Sequence, residues 1–384
     1  MSDQTIRAVP VNPVPADLPL QPAQTPQAWY GPDLARRPEE WTYVLSPAES
    51  AELLAAIAAV EAQGTDVVDI TASGFPLPTL GGVLRRMRRE LLHGRGFTLL
   101  RGFPVEGLTP RQRGIGFFGI GAYLGRAVSQ NAKGHALGHV ADLGFDYSQP
   151  TSRGYQTSAR LPYHTDAADL VGLLCVRGAK SGGLSSLVSS VSVYNEMLKR
   201  RPDLVRVLMG PVYRDRRDEI PPGKGPWYVL PVFNPHRGLM ITSYVRSAIR
   251  KAQRFTEVPR IPPELDEAMN LLDALAESPE LHLDMTLLPG DIQFVCNHFL
   301  LHSRTTFEDH PEPERRRHLL RLWLSSEDAP ALPQVFDNYT GLSAQGRPLG
   351  LLLDGVSLNA PLALEDGGPG PSEQRLGAAP ATAP

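Results

Sequence analysis

The spacing of apolar residues divides the chain into two regimes. Up to about residue 125 the pattern is helical. Ser46-Pro47-Ala48-Glu49 offers an N-cap serine, a proline at the first helical position and a glutamate three residues after the cap, ahead of an Ala/Leu-rich run to about Gln63. That combination predicts a helix opened by a capping box. A second helix is expected over about 80–92 (LGGVLRRMRRELL), and Thr109-Pro110 opens a third. Between them GFTLLRGFPV sets apolar β-type residues between glycines and reads as a strand. From about residue 160 the chain changes to short apolar runs separated by Gly and Pro: VGLLCV, LSSLVSSV, WYVLPVF, LMITSYV, MTLL, IQFVCN and LLRLWL. This predicts an antiparallel barrel or sandwich behind an N-terminal helical layer, with helical insertions near 193–208 and 262–276.

The ends differ from the middle. Residues 1–40 are rich in Pro, Ala and Gln, and 359–384 run out in GGPGPSEQRLGAAPATAP. Both are expected to be disordered tails. Between them a single domain is expected over 41–358: a helical layer and loop at 41–158, a β core with insertions at 159–330, and a C-terminal extension at 331–358. No internal repeat is visible.

Composition narrows the function. With 42% hydrophobic and 21% charged residues in 384, the chain can build a core. A formal net charge of -3 gives no positive field for nucleic acid or anionic lipid, so a small-molecule partner is favoured. The N-terminal stretch lacks the apolar core of a signal peptide, and no run approaches a membrane span, so a cytoplasmic location is expected. The two cysteines, Cys175 and Cys296, lie in apolar runs, which argues for buried thiols over a disulfide scaffold or thiolate zinc site.

Candidate chemistry begins at Tyr163-His164-Thr165-Asp166. In a strand, residues i and i+2 project from one face, so His164 and Asp166 can aim at one ion. Two imidazoles and a carboxylate suit iron and leave coordination positions open. A His-x-Asp is common by chance, and a second, His282-Leu283-Asp284, occurs here. The third ligand must return from a later strand. After the turn Pro289-Gly290-Asp291 and the strand IQFVCN comes Asn297-His298-Phe299-Leu300-Leu301-His302-Ser303-Arg304, where His302 is favoured and His298 reads as an exposed turn residue. Further on, strand alternation puts Arg317, Leu319, Arg321 and Trp323 on one face of RRRHLLRLWL. Arginine within so apolar a run is costly unless it meets an anion.

At these residues the sequence resembles the taurine dioxygenase (TauD/TfdA) family of iron(II)/2-oxoglutarate oxygenases, in the clavaminate-synthase-like group. The matching segments are HTD at 164–166, SGGLS at 181–185, PGDIQF at 289–294, NHFLLHSR at 297–304 and RRHLLRLWL at 316–324. The resemblance implies a mainly β α+β fold, a double-stranded β-helix (jelly-roll) barrel with flanking helices. It implies His164, Asp166 and His302 as iron(II) ligands and Ser185, Arg317 and Arg321 as candidates for the cosubstrate 2-oxoglutarate. The interval from His302 to Arg317 is longer than in taurine dioxygenase, so the choice between the two arginines stays open, and Leu184 stands where the family usually has a polar residue. His282-Asp284 has no Gly-Gly-x-Ser segment before His302, which removes it as a rival. The carboxylate of Asp166, which related halogenases lack, implies hydroxylation, desaturation or ring formation. Dioxygen and a small-molecule substrate are the implied partners, and a homo-oligomer is left open.

Substrate contacts are expected in the segment before the first ligand and close to the site: Gln130, Asn131, Tyr155, Gln156 and Arg304. The alternative is a glycine-rich loop whose polar side chains satisfy their own backbone, and the same applies to His135 and His139. Two other functions stay open: a cupin-type metal-dependent isomerase or hydrolase, which would not need Arg317, and a non-catalytic binding protein on the same scaffold.

Overall fold

The expected capping box forms. In a computed structural model describing residues 8–15, 17–145, 153–351 and 353–364, Ser46 Oγ accepts from the Glu49 amide at 3.2 Å while the Glu49 carboxylate accepts from the Ser46 amide at 2.9 Å. Thr109 and Gln112 repeat the arrangement one helix later. The helices they open, Pro47–Gln63 and Pro110–Ala122, stack with Leu80–His93 against the β core.

The core is two sheets. In chain order their strands are β1 (Thr42–Val44), β2 (Phe97–Arg101), β3 (Arg126–Ala127), β4 (Leu137–Val140), β5 (Leu161–His164), β6 (Leu170–Arg177), β7 (Ser185–Ser189), β8 (His282–Met285), β9 (Ile292–Cys296), β10 (Leu300–Arg304) and β11 (His318–Ser325). The 7-stranded sheet runs β1-β2-β9-β6-β11-β3, with β4 also pairing β11; the 4-stranded sheet runs β8-β7-β10-β5. Strand alternation decides what each face meets. Phe97, Leu99, Val171, Val295 and Trp323 of the larger sheet pack against Leu187, Leu283, Met285 and Leu300 of the smaller. The opposite face of the larger sheet (Leu100, Leu174, Phe294, Leu320, Leu322) meets the N-terminal helices. The opposite face of the smaller sheet (Tyr163, Val188, Leu301) meets the helices Ser190–Arg200, Pro202–Met209 and Pro263–Ala276. Four layers result, and the polar side chains between the two sheets face the space they enclose.

Several expectations shift. The stretch expected to be an N-terminal tail is docked from Val9, which exchanges backbone hydrogen bonds with the Asn338 side chain. Trp29 is 8% exposed, stacks on Phe97 and donates its indole N–H to Arg95 O at 2.8 Å, while Ala23 and Tyr30 bond to Asn195 and Glu196. Its Pro/Ala composition concealed a few large side chains that find a groove. At the other end, Asn359 bonds Gly134 and Ala136 through its backbone, so residues 359–364 are also held. The run MTLL is not the strand; β8 ends at Met285, and Leu288 begins a turn in which its amide donates to Asp291 Oδ2 at 2.9 Å. Asp291 also takes both Nε and Nη2 of Arg101 at 2.9 Å. The PGD turn is therefore an anchor between strands. A mixed α and β architecture with a β core between helical layers agrees with the expectation; the strands form two sheets with no hydrogen-bonded ladder joining them among the described residues.

Candidate metal and cosubstrate site

Register brings two ligands together. β5 lies antiparallel beside β10 with His164 directly opposite His302, and directly opposed residues share a face. Two residues on, where β5 has ended, Asp166 is held in place by Asn297: its amide donates to Asn297 Oδ1 at 3.0 Å, and Asn297 Nδ2 donates to Ala168 O at 3.0 Å. One Asp166 oxygen lies 3.9 Å from His164 Nε2 and the other 3.9 Å from His302 Nε2. Among the described residues these three form the one group whose ligand atoms all lie within 4.8 Å of each other.

The electrostatics suit a cation. Burial pushes both imidazoles down, His302 to about 3 with help from the adjacent His164, so both are neutral ligands near pH 7. His164 Nδ1 sits 2.8 Å from Pro162 O, which can only accept, so Nδ1 carries the proton and Nε2 keeps its lone pair. Burial would raise the Asp166 carboxyl, but Arg321, His302, His164 and the Trp323 indole outweigh it and hold it at about 2. The indole N–H donates to Asp166 Oδ2 at 2.8 Å. Two neutral imidazoles and an ionised carboxylate on one side of a void fit iron(II) with positions left open.

Two cavities meet at the triad. An inner recess runs between the sheets from His302 past Ser185 to Arg304 and Arg317, walled by Leu173 and Leu319. Ser185 Oγ donates to Gln293 Oε1 at 3.0 Å. Arg317 reaches the recess beside the Gly182-Gly183 turn, where both glycines have positive φ (72° and 70°) and a Cβ on Gly183 would stand 3.1 Å from Arg317 Nε. The SGGLS motif is thus a turn that makes room for this guanidinium. On the other side of the triad an outer cleft opens toward solvent, past Tyr155, Arg217, Ser247 and Tyr339.

The profile of the taurine catabolism dioxygenase TauD, TfdA family matches residues 45–323, which includes the whole triad. This chain belongs to the TauD/TfdA family. Among its relatives, the FR-33289 synthase of Streptomyces rubellomurinus is 33% identical over 314 residues, covering 80% of this chain and 92% of that protein. A taurine hydroxylase-like protein of Stachybotrys chartarum is 32% identical and covers 77% of each. An asparagine oxygenase crystallised with Fe(II), hydroxyasparagine and succinate shares the fold at 20% identity, with a TM-score of 0.57 over 74% of this chain and 93% of that one. This TauD/TfdA-family chain is an iron- and 2-oxoglutarate-dependent dioxygenase.

Within this dioxygenase the remaining candidates separate by position. Arg321 faces the triad and the cleft: its guanidinium lies between Tyr155 and Trp323 (4.5 and 5.1 Å to the ring centroids), donates from Nε to Gln130 Oε1 at 2.7 Å, and places Nη1 3.5 Å from Asp166. Gln130 is 1% exposed and spends its amide on Ala136 O and Arg321 O, so it orients Arg321 and presents nothing to a substrate. Asn131 Oδ1 accepts from the Lys133 and His135 amides, closing its own turn. Tyr155 lines both cavities, whereas Gln156 lines neither. Arg304 is in the recess with Arg317. His298 is no exposed turn residue: it is 5% exposed and bonded at 2.7 Å to Asp169, which also takes Arg347 and the Ser326 amide. The rival His282 and Asp284 point away from the sheet interface, since Leu283 and Met285 fill it. His139 stacks on His318 and bonds to it at 2.8 Å, and neither lines the recess or the cleft. Residues 146–152, part of the expected substrate segment, lie outside the described residues.

The sequence reading missed the cleft wall. Arg214-Asp215-Arg216-Arg217 looks like a solvated charge run, yet Arg214 is fully buried on Ser243 and the carbonyls of Leu230 and Pro231, and Arg216 donates to the carbonyls of Gly225, Asn338 and Tyr339. Arg217 and Asp218 have φ of 55° and 63°, a left-handed step that non-glycine residues rarely take. It swings Arg217 into the cleft, where Nη2 donates to Ser247 Oγ at 2.8 Å.

Proposed function

We propose that this dioxygenase hydroxylates a small anionic or zwitterionic metabolite in the outer cleft while 2-oxoglutarate occupies the inner recess. The observation that carries this reading is the position of the triad, at the junction of a recess ending in buried arginine and a cleft open to solvent. Bound iron and 2-oxoglutarate supply the oxidising chemistry, with dioxygen consumed and succinate and carbon dioxide released. The chain supplies position and exclusion. His164, Asp166 and His302 would hold the metal, and Ser185 and Arg317 would take the distal carboxylate of the cosubstrate. Leu173 and Leu319 wall the recess against water.

The substrate class follows from charge. The cleft is lined by Arg153, Arg216, Arg217, Arg246 and Arg321 against the acids Asp166, Asp215 and Glu219. Each acid is committed: Asp166 to the metal, Asp215 to Arg254 at 2.7 Å, Glu219 to Arg153. Arg246 is itself paired with Asp266 and Asp273, and the guanidinium groups that converge on the cleft, with Arg217 beside Ser247, support an anionic group on the substrate. The taurine hydroxylase-like relative and the asparagine oxygenase are named for small charged or zwitterionic compounds, consistent with this. We further assign the two facing sheets to the two walls of a double-stranded β-helix. No helix among the described residues is long and apolar enough to cross a membrane, and the buried free thiols of Cys175 and Cys296 suit a reducing cytoplasm.

The test is oxygen uptake and succinate formation with Fe(II), ascorbate and 2-oxoglutarate, across a panel of sulfonates, phosphonates and amino acids paired with neutral analogues. Turnover stimulated by anionic members, and lost in His164→Ala and Arg317→Met, is the expected result. Absence of succinate under every condition overturns the proposal.

A further inference from the structure

The recess holds more positive charge than one cosubstrate-binding arginine accounts for. Arg304 and Arg317 both stack on Phe307, with guanidinium carbons 4.6 and 5.0 Å from its ring centroid. Both are nearly buried, at 5% and 6% exposure. Arg304 sits opposite Ser185 in the β10–β7 register, so its side chain leaves the same face as the Ser185 hydroxyl. Its Nε donates to Thr305 O at 3.3 Å and its Nη2 to Ala159 O, which leaves Nη1 buried with no partner. Arg317 Nη1 is buried without a partner as well. Among the described residues neither guanidinium has a carboxylate at ion-pair distance; Asp309 accepts from the Arg317 backbone amide at 2.7 Å instead. Two like charges in one apolar recess, each with an orphaned donor, form an arrangement that an anion completes.

We propose that Arg304 is a second arginine for the distal carboxylate of 2-oxoglutarate, working with Arg317 and Ser185, and is not a substrate residue. The inference rests on reading the recess as the cosubstrate site. The two Nη1 donors take the carboxylate together, and Phe307 beneath both guanidinium planes keeps them from swinging away. Arg321 lines both the recess and the cleft, but its guanidinium is engaged by Gln130 beside Asp166, and it is given no part in holding the distal carboxylate.

The experiment is an anaerobic titration of the Fe(II) enzyme, following the absorption band of the metal-chelated 2-oxo acid. Two ligands are compared: 2-oxoglutarate, and 2-oxobutyrate, which keeps the chelating end but lacks the distal carboxylate. Arg304→Gln weakens 2-oxoglutarate roughly 10- to 100-fold, the size expected for one charged hydrogen bond, and leaves 2-oxobutyrate unchanged. Arg304→Lys keeps the charge without the planar fork and gives an intermediate loss; it also serves if the glutamine variant does not fold. Equal weakening of both ligands would mean a structural role, and unchanged 2-oxoglutarate affinity would mean no contact; either overturns the inference. If the wild-type enzyme forms no band with 2-oxoglutarate, the proposed function fails first, and the two failures are told apart.

Discussion

Trp323→Phe isolates a contact that motif reading does not supply. The indole N–H donates to Asp166 Oδ2 at 2.8 Å, and the ring is 2% exposed between the sheets. Phenylalanine keeps most of the packing and removes the donor. A hydrogen bond to a charged group is worth about 1.5–3 kcal/mol. Loss of a partner that orients a metal ligand costs about 10- to 100-fold in metal affinity, or roughly 1.4–2.8 kcal/mol, and the two ranges agree. The smaller ring also loses packing, at less than the about 3–5 kcal/mol of truncation to alanine. Anaerobic Fe(II) titration therefore shows iron bound 10- to 100-fold more weakly in the variant, while thermal melting confirms a folded apoprotein. Iron affinity within twofold of wild type, in a folded variant, would refute the claim that the indole holds the carboxylate in its ligating pose.

Other predictions probe separate parts of the molecule. His282→Ala leaves iron affinity unchanged, because His282 and Asp284 leave the sheet on the side away from the triad; a loss in the same titration would reinstate the rival pair. Trp29→Ala lowers stability by about 3–5 kcal/mol in urea unfolding, because the segment before residue 40 is docked through this ring; a change within error would return that segment to the status of a tail. His318 is pushed down to about 3 by burial, followed by the His139, Arg177 and Arg113 charges, against about 6.5 when unfolded. The unfolded chain therefore binds the extra proton, and this contribution, complete above about 6.5, is lost on acidification by at most about 1.4 kcal/mol per pH unit. Unfolding of His318→Gln followed from pH 7 to 4 should show a shallower loss than wild type, and parallel curves would contradict the assignment.

The parts of the fold legible in sequence are those where local chemistry and tertiary context agree. Ser46-Glu49 and Thr109-Gln112 announce helices because the cap bonds are local, and IQFVCN and LLRLWL announce strands because they are mostly apolar and buried throughout. Elements defined by their neighbours were not legible. Leu137–Val140 reads as glycine-rich loop and becomes a strand because the edge of β11 offers it a ladder. Gly138 is small because Gln130 lies against it, with Oε1 2.6 Å from where a Cβ would be. Thr42–Val44 is too short and exposed to signal itself, and pairs in parallel with Phe97–Arg101. The charge run at 214–217 misleads for a related reason: burial of Arg214 and Arg216 depends on carbonyls from Gly225, Leu230 and Tyr339, which no local pattern reveals.

The site itself follows from one geometric constraint. His164 and Asp166 are two apart, which suggests one strand face, but β5 stops at His164 and Asp166 belongs to the turn after it. The same-face argument therefore led by an incomplete route to two side chains that do lie together. What joins them is Asn297, three residues before β10 begins, which bonds the Asp166 amide and the Ala168 carbonyl. The segment NHFLLHSR thus carries three tasks in order: Asn297 sets the carboxylate, His302 opposes His164 across the ladder, and Arg304 enters the recess two residues further on the same face. A one-residue slip of β10 would turn His302 and Arg304 out of the interior together. In the proposed site, metal and cosubstrate binding would in this way be tied to a single strand register, and the intervening Leu301 and Ser303, facing the helices and Leu161 O, help to fix it.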